Sequence, residues 1–154
     1  MLFTRKTDYA LVALAGLARR NHGSSSARDL ADELKLPLPV LRNILKLLTS
    51  NGLLVSSRGP SGGYQLARPA GEISLARVIE IIEGPIHLVR CCTTTDGDEP
   101  QCQIVDSCLI KGNVRRVHES LIDFLNRVTL AELTPDAGAG PIAPGTLGIG
   151  AVTP

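Results

Sequence analysis

The sequence predicts a mainly α fold with a small β wing, a winged helix-turn-helix joined to a long dimerisation helix. Three observations predict it. Two short amphipathic helices, a turn and a third helix precede a hairpin whose tip reads Arg58-Gly59-Pro60-Ser61-Gly62-Gly63. A further stretch near residues 112–128 repeats apolar positions at coiled-coil spacing. Aromatic residues are scarce, with no Trp, two Tyr and two Phe in 154 residues, so the core must be Leu, Ile, Val and Ala, which suits helices.

Each element has a local reason. Thr4 or Thr7 caps a first helix running to about Arg20, with Tyr9, Val12, Ala13 and Leu17 on its buried stripe, and Asn21-His22-Gly23 ends it. Ser26 with Asp29 opens a short second helix that turns Leu30, Ala31 and Leu34 inward. Pro39 suits the first turn of a third helix, whose apolar side is Val40, Leu41, Ile44, Leu45 and Leu48. Arg42, Asn43 and Lys46 project from another side, and Asn51-Gly52 stops it. Leu53–Ser57 and Tyr64–Ala67 are the hairpin strands. Ser74 caps a helix over Leu75–Glu83, ended by Gly84-Pro85. The last helix carries Val114, Val117, Leu121, Phe124 and Val128, spaced 3, 4, 3 and 4. That seam is too short to stand alone and packs either on its own domain or on a second copy; the second copy is favoured, because a two-fold dimer presents two recognition helices to one operator.

The division is a DNA-binding winged helix-turn-helix over 1–70, a cysteine segment with the dimerisation helix over 71–134, and a tail over 135–154. The tail has four Pro and five Gly in twenty residues, a composition that cannot bury enough surface to order itself.

The net charge of +1 hides an asymmetry. Residues 1–70 hold ten Lys/Arg against four Asp/Glu, and residues 71–154 hold six against eleven. A basic half points to nucleic acid. Major-groove readers set a helix N-terminus against base edges, so Pro39, Val40, Arg42 and Asn43 are candidate base contacts and Lys46 suits a phosphate. Arg58 at the wing tip suits a narrow minor groove, and Gly59, Pro60, Gly62, Gly63 and Tyr64 complete the candidate DNA-binding set. The tip is not a nucleotide-binding loop, since no Gly-Lys-Ser/Thr follows it. No paired acid and base and no nucleophile with its base is recognisable, so an enzyme is not expected. The apolar run Tyr9–Ala18 mimics a signal peptide, but Asp8 and Arg19-Arg20 flank it, and no segment reaches the ~20 apolar residues of a membrane span.

Four cysteines lie in one polar segment, Cys91, Cys92, Cys102 and Cys108. In a reducing cytoplasm such clusters bind metal or do redox work more often than they form disulfides. Structural zinc prefers C-x2-4-C pairs, which are missing, whereas an iron–sulfur cluster tolerates wide spacing. Spacing alone leaves a cluster, a zinc site and a thiol switch open.

The chain resembles the bacterial iron–sulfur winged-helix repressors and activators of the IscR and NsrR type over residues 1–134. The matching strings are Thr7-Asp8-Tyr9-Ala10, Asn51-Gly52-Leu53-Leu54, the wing from Ser57 to Tyr64, Leu66–Ala70, Glu83-Gly84-Pro85 and Val128–Leu133. Residues Glu83–Leu88 are similar to members that regulate the Suf cluster-assembly system. The resemblance implies a homodimer with a long helix crossing between subunits, and a 2Fe–2S or 4Fe–4S cluster bound by three cysteines per chain. Those carry over to Cys102, Cys108 and one of Cys91 and Cys92. It also implies a fourth ligand that varies. Lys111 stands where some members have His, and Asp8 matches an N-terminal Asp supplied by the partner subunit in others. Asp8 in a first helical turn also stabilises that helix by ~0.3–1 kcal/mol. His87 and His118 are further candidates. Some members of this fold lack the cysteines and respond to an enzyme partner, so a cluster-free repressor acting through thiol oxidation or a protein partner is the alternative.

Overall fold

Thr4 opens α1 (Arg5–Ala18), its Oγ1 accepting from the Lys6 N–H at 3.3 Å. The computed structural model describes residues 3–20, 23–59, 62–89 and 107–134. Buried on α1 are Thr7, Ala10, Ala13, Leu14, Gly16 and Leu17. Val12, expected on that stripe, is 43% exposed. At 3.6 residues per turn it falls on the side opposite Ala10 and Leu14. The expected stop at Asn21-His22 lies outside the described residues.

Ser26 caps α2 (Ala27–Leu34) by accepting from the Asp29 N–H at 3.1 Å, and its hydroxyl donates to Asp29 Oδ2 at 2.7 Å. Lys35 adopts a left-handed conformation, φ 56°, and turns the chain into α3 (Leu38–Ser50). An ion pair between Arg20 and Glu33 ties the end of α1 to α2. Leu41, Ile44, Leu45 and Leu48 of α3 pack with Leu14, Leu17 and Leu30 into the main core. Gly52, at φ 74°, supplies the left-handed step that stops α3.

β1 (Leu54–Ser57) and β2 (Gly63–Leu66) pair antiparallel, Leu54 opposite Leu66 and Ser57 opposite Gly63. The wing is fastened to the segment before α2. Tyr64 N–H donates to Ser25 O at 2.8 Å and Ser25 N–H donates to Tyr64 O at 3.0 Å.

A 3-10 turn (Ala70–Glu72) leads to α4 (Leu75–Glu83), capped by Ser74 and closed by Gly84 at φ 87°. Ile73 and Val78 join the same core as Leu45, so apolar packing continues past residue 70. α5 (Lys111–Arg127) lies on α4, where Ala76, Ile79, Ile86 and Leu125 form a second core with Leu121, Ile122 and Phe124 at its edge. α6 (Leu130–Leu133) returns to α1. Leu75 N–H donates to Val128 O and Leu130 N–H donates to Ile73 O, both at 2.8 Å. Periodicity predicts no helix at α6, yet Thr129 and Glu132 form a reciprocal capping box there.

Of the seam expected on α5, Leu121 and Phe124 pack at the edge of the core shared with α4 and Val128 is buried, so its C-terminal half turns to its own chain. Leu125 is buried, Leu121 and Phe124 are half-buried, and Val117 is 57% exposed. Leu109 and Ile110, just before the helix, are exposed at 98% and 60%. Among the described residues no helix is long and apolar enough to cross a membrane. The tail from Pro135 lies outside the described residues.

Candidate nucleic-acid interface and cysteine centre

Burial of one face of α3 decides what the other presents. With Leu41, Ile44, Leu45 and Leu48 turned to the core, Pro39, Arg42, Asn43 and Lys46 share the outer stripe at i, i+3, i+4 and i+7 spacing. All four are exposed, whereas Val40 is half-buried and packs on the core. A stripe with two cations and an amide at the first two turns of a helix has the donors that guanine and adenine edges and phosphates accept.

At the wing, Arg58 and Gly59 are exposed, with Gly59 at φ 113°. The tip turn is closed by Gly62 N–H donating to Gly59 O at 2.9 Å. Pro60 lies outside the described residues. Gly62, Gly63 and Tyr64 are half-buried. Gly63 runs against the Ser25 backbone, where a Cβ would sit 2.5 Å from the Ser25 oxygen. Tyr64 packs on the main core. These last residues therefore hold the wing in place, while Arg58 projects from it.

The other candidates gather at two places. Asp8 is exposed in the first turn of α1, and its carboxylate has no hydrogen bond among the described residues. Cys108 is half-buried, forms no disulfide, and lies just before α5, its carbonyl accepting from the Lys111 N–H at 3.4 Å. Both donors are open to a ligand, and thiolate with carboxylate is a donor set that iron accepts. Cys91, Cys92 and Cys102 lie outside the described residues, and among the described residues no three His, Cys, Asp or Glu converge on one point. His87 and His118 face one another instead, ring centroids 6.5 Å apart and planes at 25°.

One functional-looking group was not singled out from sequence. Glu83, the last residue of α4, accepts three hydrogen bonds at Oε1. They come from Thr4 N–H at 2.9 Å, Thr4 Oγ1 at 2.6 Å and the Thr7 hydroxyl. The Thr4 hydroxyl foremost, then Thr7, the Thr4 N–H and the nearby Lys6 charge, hold its carboxyl below the usual carboxylate range. This latch fixes the start of α1, with Thr7 adjacent to Asp8, to the point where the chain leaves α4 toward the cysteines. Beside it lies a groove of about 200 Å3 lined by Lys6, Val40, Asn43, Ile44, Leu47 and Ile82, so the recognition helix borders the same junction.

Comparison with known proteins agrees with this architecture. Residues 3–136 match the model of the Rrf2 family, described as iron-dependent transcriptional regulator. The HTH-type transcriptional regulator IscR of Serratia proteamaculans is 35% identical over 134 residues, 86% of this chain and 79% of that protein. The solved structure of T. potens IscR superposes with a TM-score of 0.67 at 26% identity, covering 93% of each chain. The oxidized form of Staphylococcus aureus CymR superposes with a TM-score of 0.64 at 28% identity, covering 92% of this chain and 100% of that one. The relatives are named transcriptional regulators, not enzymes. With its winged helix, its exposed basic α3 stripe and a family match over residues 3–136, the chain belongs to the Rrf2 family of transcriptional regulators.

Proposed function

We propose that the protein is a cytoplasmic, homodimeric transcriptional regulator whose operator affinity is controlled by a cysteine-ligated iron–sulfur cluster, sensing nitric oxide, redox or iron–sulfur status. The observation that carries this reading is the latch. Thr4 and Thr7 bind Glu83 at the root of the cysteine segment, and Cys108 ends that segment at the start of α5. One end of the segment is thus latched to α1, and the other enters α5, which packs on α4, itself packed on α1 and α3.

Cys102, Cys108 and one of Cys91 and Cys92 would hold the cluster, with Asp8 of the partner subunit as fourth ligand. When bound, the cluster supplies iron–ligand bonds that oxidants or nitric oxide can break. Asp8 stands on α1, so a carboxylate bound across the dimer fixes α1, and α1 shares its core with α3. Release of Asp8 would free α1, together with the core it shares with α3, to shift relative to the partner subunit, and would alter the spacing of two recognition helices. A coupling of about 1–3 kcal/mol between the two states shifts operator affinity about 5- to 150-fold. On DNA, Arg42 and Asn43 would read base edges, Lys46 a phosphate and Arg58 a minor groove.

The exposed apolar line of Leu109, Ile110 and Val117 fits a second copy of the chain. A second reading, a cluster-free repressor acting through thiol oxidation or a protein partner, is favoured by the likeness to CymR, which has been solved in an oxidized form. Anaerobic native mass spectrometry of the dimer separates the two. The proposal expects iron and sulfide on the dimer, reduced in Asp8→Ala and in whichever of Cys91→Ala and Cys92→Ala removes a ligand. A colourless, iron-free dimer after reconstitution would leave the thiol reading.

A further inference from the structure

Behind the recognition face, a cavity of about 400 Å3 opens where the end of α3, the end of the wing, α4 and α5 meet. Its polar lining includes Asn51, Arg68, Glu72, Arg77, Glu80 and Asn126. We propose that this cavity binds a small zwitterion of the free amino-acid class, its carboxylate set against Arg68 and Arg77 and its ammonium against Glu72 and Glu80.

The charges are balanced, two guanidinium groups against two carboxylates, and none of the four closes an ion pair within the described structure. Arg77 and Glu80 are three residues apart on one helix, a spacing at which such side chains are neighbours. Their separation leaves both charges turned to the same open space. A ligand carrying both signs satisfies both. A dicarboxylate meets Glu72 and Glu80, a diamine meets Arg68 and Arg77, and each is opposed by like charge. The cavity volume suits a small metabolite. Because the lining is drawn from the end of the reading unit and from α5, an occupant would bridge the two.

The test uses the full chain, labelled with nitrogen-15, titrated with each standard amino acid. Succinate and 1,4-diaminobutane serve as the single-sign controls. The proposal expects saturable shifts of the Arg77 and Asn126 side-chain N–H signals with at least one amino acid. Arg77→Gln and Glu80→Gln, both at exposed positions, would each weaken that binding roughly tenfold, the loss of one charge-assisted hydrogen bond. Saturation by succinate or the diamine with equal affinity would overturn it. So would undiminished binding by both variants, or no saturation with any amino acid. None of these readings involves DNA or iron, so they stand apart from the test of the cluster.

Discussion

Three donors converge on the Glu83 carboxylate, and they favour its charged form. A carboxyl whose folded value is depressed stabilises the fold above its unfolded value and loses that contribution as pH falls through the folded one. Thermal unfolding of the wild type should therefore weaken below about pH 4.3, and Glu83→Gln should flatten that acid-side fall. An unchanged pH profile in the variant would show that the latch contributes nothing. Gly63 is a second single-residue test. Its missing Cβ is what lets the wing meet Ser25, so Gly63→Ala should cost about 1–3 kcal/mol in urea unfolding. Lys46, exposed and assigned to a phosphate, should lower the slope of log affinity against log salt by about 0.9 when replaced by Ala. Arg42→Ala should instead relax discrimination between operator variants.

At the scale of elements, local signals in the sequence were enough where one residue decides a boundary. Ser26 and Ser74 cap the helices expected of them, Gly52 and Gly84 stop theirs, and the hairpin pairs as its tip requires. The first stripe was less legible, because Val12 is apolar yet 43% exposed on the outer side of α1. α6 carried a Thr-x-x-Glu signal that can be seen in hindsight, but four residues show no periodicity. On α5, Leu125 packs against α4 whereas Val117 is exposed. Leu125→Ala, at 5% exposure, should cost about 2–5 kcal/mol of stability. Val117→Glu, at 57% exposure, should leave the fold intact and shift sedimentation toward monomer. A stable dimer in Val117→Glu would place the subunit contact elsewhere.

Across the whole molecule, the fold and the exposed face of α3 followed from periodicity, caps and charge, whereas the couplings between distant segments did not. Thr4 and Glu83 are 79 residues apart in sequence, and nothing in either neighbourhood signals that they bond. The same holds for the cavity shared by Arg68, Arg77 and Asn126, which exists only because α5 folds back over α4. Such contacts are set by packing, and they are where a regulator can link one region to another. Under the proposed function, the basic first half would contact DNA and the acidic second half would carry the sensor.

The most direct measurement is operator affinity of the anaerobically reconstituted dimer, on duplexes selected from a random pool, before and after the cluster is removed by chelation. Control by the cluster predicts a change of about 5- to 150-fold between the two forms, with Cys108→Ala locked at the cluster-free value. Equal affinities with and without iron would contradict it.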